Sequence, residues 1–481
     1  MMLLQLSIVA LVSSAAAETI LGVVVYTRHG DRTAKHYPNY ALTNLGFQQN
    51  LQVGSDYRDL YISGNASKRI LGISEDRYNA SQIYAAAPDE PLLLNTATAF
   101  VQGLYPSLNG TPETLDNSTT YPDPISAVIN TEASDSPNAI WIRGNNNCPG
   151  VTEAEEASIS YLPYREKLNA THSFYQKLWP VLENISDYNR SSLSYDNAYD
   201  IFDLINVGMI HNESNSLHNG SLRDSVTADD LFQLRTLADS HEFELNYDPI
   251  NNAPYTLVGA RALMAAIKAQ LKAAVSGTTK FTLLAGDYDL MLGLFGFYGI
   301  TGASDDFYGL PEYASTMAFE LLTEENVTST NFSPTDESAL KVRFLFRNGS
   351  SPDAELTPFP IIGPTGTLNS TTVPWSEFTM EMIDLVDSNN AWCTACQSEE
   401  DFCQIIRADD GWRPRYDKPR MSNAVAGVIG SMVTLGVLAV FAAGAAAAFL
   451  FLRRRLAKTA PTGIALQTGP ARKGSLGSLN I

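Results

Sequence analysis

Residues 23–32 read V-V-V-Y-T-R-H-G-D-R, a β-branched run that ends in a knot of charge. The valines have the composition of a strand buried on both faces. Arg28 and Arg32 then flank His29, with Gly30 and Asp31 between them. Two guanidiniums match the oxygens of a phosphate dianion, and a glycine lets the backbone approach it closely. An imidazole among them is placed to attack phosphorus. A carboxylic acid across the site would protonate the departing alkoxide. The plainer reading is a surface turn whose arginines pair with the chain's abundant acids.

Outward from this stretch, strand-like runs recur at 21–26, 81–86, 280–285 and 341–346. Helix-like patterns occupy 92–104, 173–182, 260–274, 291–298 and 314–322. The alternation argues for an α/β core with a mostly parallel sheet. In open α/β sheets ligands bind beyond the carboxyl ends of the strands. A second strand of this kind runs F-T-L-L-A-G-D-Y-D over 281–289 and meets a helix across Asp287, Tyr288 and Asp289. From about 107 to 252 the chain reads as helical and loop-like, an insertion or cap over the core.

Several segments resemble the histidine phosphatases in their acid phosphatase and phytase branch. That branch carries R-H-G-x-R-x-P after its first strand, and this chain has R-H-G-D-R-T-A at 28–34. L-T-N-L-G at 42–46, A-T-A-F-V-Q-G-L-Y-P at 97–106 and N-C-P at 147–149 continue the resemblance. P-E-Y-A-S-T-M-A-F-E-L at 311–321, similar to the branch's P-Y-A-S helix, and W-S-E-F at 375–378 extend it. The resemblance implies a phosphoglycerate-mutase-like, mostly parallel sheet flanked by helices. It makes His29 the phosphorylated nucleophile and Arg28 and Arg32 the phosphate clamp, and it implies no cofactor.

The chain departs from the branch at three places. The motif proline is Ala34, a further phosphate-binding arginine falls on Ala86, and the histidine of the branch's His-Asp pair is Tyr288. The acid survives as Asp289, with Asp287 the weaker candidate. A charge-assisted hydrogen bond contributes about 1.5–3 kcal/mol, so two losses would slow turnover by roughly two to four decades. Tyr288 is expected to donate one hydrogen bond to phosphate in the histidine's place. Lys35 and His36 read as solvated loop residues, and His211 and His241 as surface or capping residues. No metal-ligand spacing occurs.

The ends of the chain speak to location. Residues 1–17 form an apolar run closing in A-A-A, the pattern of a cleaved signal peptide. Residues 424–452 carry no charge over 29 positions. As a helix they would exceed the ~30 Å hydrocarbon core of a bilayer. The tail, 453–481, has six basic and no acidic residues, as expected on the cytosolic side. The rest holds 26 basic against 52 acidic residues, a net charge of −26, which argues against a nucleic-acid ligand. Thirteen Asn-x-Ser/Thr sequons, from Asn65 to Asn369, all lie between the two apolar segments.

Four cysteines, Cys148, Cys393, Cys396 and Cys403, suit two disulfides in an oxidising compartment, with three connectivities open. The sequence therefore predicts a signal peptide (1–17), a phosphatase-like ectodomain (18–385), a cysteine-containing stalk (386–423), a transmembrane helix (424–452) and a cytosolic tail (453–481). It specifies no oligomeric state. The expected activity is a cell-surface, single-pass acid phosphatase acting on phosphate monoesters. The alternative is an impaired or inactive surface glycoprotein that binds an anionic ligand.

Overall fold

The structure, a computed structural model, describes residues 18–106, 114–115, 119–120, 128–185, 188–211, 222–247, 253–325, 327–328, 337–361, 370–381 and 386–409. The expected leader, membrane span and cytosolic tail lie outside these residues. Among the described residues no helix is long and apolar enough to cross a membrane.

Eight strands form the main sheet: β1 (Thr19–Arg28), β2 (Ile83–Pro88), β3 (Ile129–Glu132), β4 (Phe281–Gly286), β5 (Thr316–Thr323), β6 (Leu340–Arg347), β7 (Thr357–Phe359) and β8 (Val373–Pro374). Their order is β8-β6-β5-β1-β4-β2-β3, with β7 on the side of β6. The ladders β1–β4, β4–β2 and β2–β3 are parallel, and those joining β1, β5, β6, β7 and β8 are antiparallel. The sheet is thus mixed, rather than mostly parallel as the alternation suggested.

Alternate residues of β1 enter two cores. Val23 and Val25 pack with α1 (Asn44–Tyr61) and α2 (Pro91–Leu104) on one face. Val24 and Tyr26 pack on the other, with α7 (Val258–Val275) and α8 (Tyr288–Phe297). Between these helices in sequence run α3 (Ile140–Arg143), α4 (Pro149–Ser158), α5 (Ala198–His211) and α6 (Ala228–Asn246). A strand buried on both faces needs apolar side chains at every position, and this is why the valine run does not alternate.

The helix expected at 314–322 is instead β5. All eight of its residues are buried between β1 and β6, so a continuous apolar run carries no period to separate strand from helix. Its one charge, Glu320, accepts from Tyr61 Oη (2.6 Å), Lys68 Nζ (2.9 Å) and Arg343 (3.0 Å). After β4, α8 leads away and the loop before β5 brings the chain back, so β5 begins at the carboxyl end of β1. Thr316 faces Thr27 there, and Pro311 and Tyr313 lie at the mouth of the parallel half.

Cys148 bonds Cys396, and Cys393 bonds Cys403, so the C-x-x-C pair is not bonded to itself. These cysteines, with Trp392, Val151, Val258 and Ala262, form a third buried cluster. Trp392 Nε1 donates to the carbonyl of Gly144 at 2.8 Å. Residues 386–409, with α9 (Asn389–Cys396) and α10 (Asp401–Asp409), therefore pack against α3, α4 and α7 rather than standing off as a stalk.

Candidate active site

The parallel strands β1, β4 and β2 are neighbours, and each ends in polar chemistry at the same edge of the sheet. Arg28 is paired with Gly286 in register, so His29 follows β1 where Asp287, Tyr288 and Asp289 follow β4. Glu90 follows β2 at the start of α2. A cavity of about 330 Å³ opens there, lined among others by His29, Arg32, Arg143, Tyr288 and Asp289. The structure thus brings together the nucleophile, one clamp arginine and the acid expected from sequence.

His29 is 2% exposed. Its Nδ1 lies 2.8 Å from the carbonyl of Gly30, which can only accept, so Nδ1 carries the proton. Nε2 is then an unprotonated lone pair with no protein partner among the described residues. Burial first, then the charges of Arg28 and Arg32, hold the imidazole well below the ordinary histidine pKa. A neutral, ring-fixed imidazole of this kind is a nucleophile even in acid.

The turn that aims it is built on two glycines. A Cβ on Gly30 would lie 2.3 Å from the Gly46 carbonyl, and one on Gly46 would lie 2.0 Å from that of Asp31. The L-T-N-L-G segment is therefore the seat of the histidine loop. Thr43 caps α1 through Gly46 N (3.1 Å) and also donates to Asp31. Asp31 is fully buried and meets His211 Nε2 at 2.7 Å, so His211 at the end of α5 braces the loop rather than facing only solvent.

The two motif arginines are held differently. Arg28 lies between the rings of Tyr288 (4.9 Å) and Tyr313 (4.8 Å) and donates to the Pro311 carbonyl; among the described residues it has no carboxylate partner and its buried Nε has no hydrogen-bond partner. Arg32 donates to Asp203 at 2.9 Å and to Tyr199 Oη at 2.8 Å, both on α5. Pair and histidine brace together tie α5 to the motif at three points.

Asp289 is the second residue of α8 and sits half-buried in the cavity wall. Asn145 Nδ2 donates to its Oδ2 at 3.1 Å, while Oδ1 has no partner. Burial, then the neighbouring Asp287, push its carboxyl up to about 6. It therefore holds a proton at acidic pH. Tyr288 does not stand as a free donor: its hydroxyl donates to Glu242 Oε2 at 2.7 Å, and its ring supports Arg28.

Ala86 is buried and lines a separate hollow with Trp141 and Gln270. The cation that sequence reasoning missed is Arg143, at the end of α3. It lines the catalytic cavity, bonded to Glu90 Oε1 (2.7 Å) and 3.8 Å from Asp287 Oδ2, with Nε unpartnered. Nothing local marked it; only the fold brings I-W-I-R to the ends of β2 and β4. Lys35 lines the cavity and is exposed, whereas His36 meets Tyr37 edge-on and Tyr188 at a tilt. His241 is buried and pairs with Glu242 at 2.9 Å. Among the described residues no group of His, Cys, Asp and Glu is arranged to hold a metal ion.

Known proteins are similar to this chain in sequence and in fold. A sequence profile of the histidine phosphatase superfamily (branch 2) matches residues 36–346. A lysosomal acid phosphatase of Xenopus laevis is 26% identical over 379 residues, covering 75% of this chain and 76% of the relative. Among solved structures, Hafnia alvei phytase in complex with myo-inositol hexakis sulphate superposes with a TM-score of 0.53 at 14% identity, over 78% of this chain and 98% of that one. Citrobacter braakii phytase gives 0.50 at 12% identity, over 76% and 97%. The structural likeness shows the fold; the profile, spanning well over half the chain, shows the family. This chain belongs to the histidine phosphatase superfamily, in its acid phosphatase and phytase branch.

Proposed function

We propose that the protein is an acid phosphatase hydrolysing phosphate monoesters through a phosphohistidine at His29. The observation that carries the reading is that one cavity holds both His29, its ring fixed by Nδ1 on the Gly30 carbonyl so that Nε2 is left to attack, and the carboxyl of Asp289, whose pKa is pushed up to about 6.

In the first step Nε2 attacks phosphorus and the P–O bond to the alcohol breaks. Asp289 gives its proton to the leaving oxygen and becomes a carboxylate. Water then attacks the phosphohistidine, the P–N bond breaks, and Asp289 takes the water's proton. Inorganic phosphate leaves and both groups return to their starting state. Arg28, uncommitted to any carboxylate among the described residues, supplies the main charge to the phosphoryl oxygens. Arg32 orients through its remaining donor capacity, and Arg143 adds a second cation from the far side.

Leader, uncharged span and sequons support a cell-surface, membrane-anchored setting for this activity. One observation favours the alternative of a phosphatase-fold glycoprotein that binds an anion without turnover: the Tyr288 hydroxyl is tied to Glu242, so no donor replaces the branch's histidine. Turnover of an aryl phosphate ester between about pH 3 and 7, by the chain and by His29→Ala, decides between them. Phosphate release that vanishes with His29 supports the enzyme; equal background in both supports the alternative.

A further inference from the structure

The wall of the cavity opposite the phosphate is acidic, and this bears on which esters the site accepts, given the reading of His29 as nucleophile. Three cations line the cavity: Arg32, Lys35 and Arg143. Arg28 lies behind the lining, between Tyr288 and Tyr313, and is committed to the reacting phosphate in the mechanism above. Arg32 is paired with Asp203 and Arg143 with Glu90, so of the three lining cations only the exposed Lys35 has no ion-pair partner among the described residues. Four carboxyl groups line it too: Glu155, Glu242, Asp287 and Asp289.

These acids differ in how they are held. Glu242 accepts from Tyr288 and His241, and Asp287 faces Arg143. Glu155, half-buried on α4, has no partner for its carboxylate among the described residues. Its pKa is raised by burial first and then by Glu242 and Asp289, with His241 and Lys35 acting in the other direction. Asp289 lines the same cavity, and its Oδ1 is buried without a partner among the described residues.

With Asp289 protonated as the acid, Glu155, Glu242 and Asp287 are the carboxylates that an alcohol carrying further phosphates would meet. Lys35 is the one lining cation outside an ion pair among the described residues. An alcohol carrying an ammonium group would find Glu155 waiting. We propose that the cavity selects phosphomonoesters of cationic alcohols and discriminates against polyphosphorylated ones, with Glu155 as the specificity-determining residue. The phytases that share the fold offer no guide here, because one fold serves many substrates.

The test is steady-state hydrolysis by the full chain at about pH 5.5 and low ionic strength, where charge selection is least screened. The substrates are ethanolamine phosphate, glycerol phosphate, inositol hexakisphosphate and an aryl phosphate ester as reference. The expected order of kcat/KM is ethanolamine over glycerol over hexakisphosphate. Glu155→Gln lowers the ratio of the first to the last by roughly tenfold, the effect of one unit charge at several ångströms in a partly shielded cavity. Lys35→Gln moves the ratio the other way. A preference for hexakisphosphate, or a ratio indifferent to Glu155→Gln, overturns the proposal.

Loss of all turnover, the aryl ester included, would instead refute the phosphatase reading. The thermal shifts produced by ethanolamine phosphate and hexakisphosphate then report the same order of binding. Stronger stabilisation by hexakisphosphate would overturn the selection whether or not the site turns over.

Discussion

Asp289→Asn separates the catalytic role of this carboxyl from its effect on stability. Its pKa of about 6, against an ordinary value near 3.8, means that the folded chain binds the proton more tightly than the unfolded one. The stability this group contributes is complete below about pH 4 and is lost as pH rises through 6. Two units correspond to about 3 kcal/mol, an upper, order-of-magnitude figure for a half-buried acid. Asparagine keeps the acceptor that Asn145 addresses and cannot ionise. Thermal melts of both proteins from about pH 4 to 7 should therefore diverge, the wild type losing stability relative to the variant as pH rises. The same substitution removes the proton donor and should lower kcat by roughly a hundredfold or more, with KM much less affected. Parallel melting curves would refute the proton-holding Asp289. An unchanged kcat on an ester with a poor leaving group would refute its role as the acid.

Other perturbations have equally definite outcomes. Arg143→Ala should lower kcat/KM by about ten- to a hundredfold, the value of one charge-assisted hydrogen bond, and weaken competitive inhibition by inorganic phosphate in parallel. An unchanged inhibition constant would make Arg143 a positioning residue for Asp287 only. Asp203→Ala strands Arg32 as a buried, unpaired cation and should cost about 3–5 kcal/mol in chemical denaturation. A loss under about 1 kcal/mol would show that Tyr199 alone suffices to hold it. Replacing Cys148 and Cys396 together by serine should cost about 2–5 kcal/mol. It should also lower kcat, because Cys148 anchors the segment that presents Asn145 to Asp289; stability loss without a kcat effect would uncouple the two.

Much of the site was legible because it is local. Arg28, His29 and Arg32 fall within five residues at one strand end, and Asp289 follows another, so strand chemistry and a short motif sufficed. What supports them is not local. Tyr199 and Asp203 sit one helical turn apart on α5, and nothing in A-Y-D-I-F-D announces that their target lies some 170 residues earlier. Arg143 and Asn145 reach the cavity only once α3 packs beside β2 and β4. His211 read as a surface residue because its partner, Asp31, is buried by the fold alone. The fold shows the same divide. β1, β2, β4 and β6 announced themselves by apolar runs bounded by turns, and the polar I-N-T-E of β3 did not. β5, buried at every position with Glu320 its one charge, had no period to distinguish it from a helix. The cysteine pairing likewise followed from packing, Cys148 meeting Cys396 across 248 residues.

The central claim is that Nε2 of His29 takes the phosphoryl group. Mixing the protein with an aryl phosphate ester at acidic pH, denaturing it within the first turnovers in alkali, where phosphohistidine survives, and measuring intact and peptide masses tests this directly. The account predicts one phosphoryl group on the peptide carrying His29, formed faster than steady-state turnover and absent in His29→Ala. Phosphate release at full rate with no adduct on His29, or an adduct that persists in His29→Ala, would contradict it.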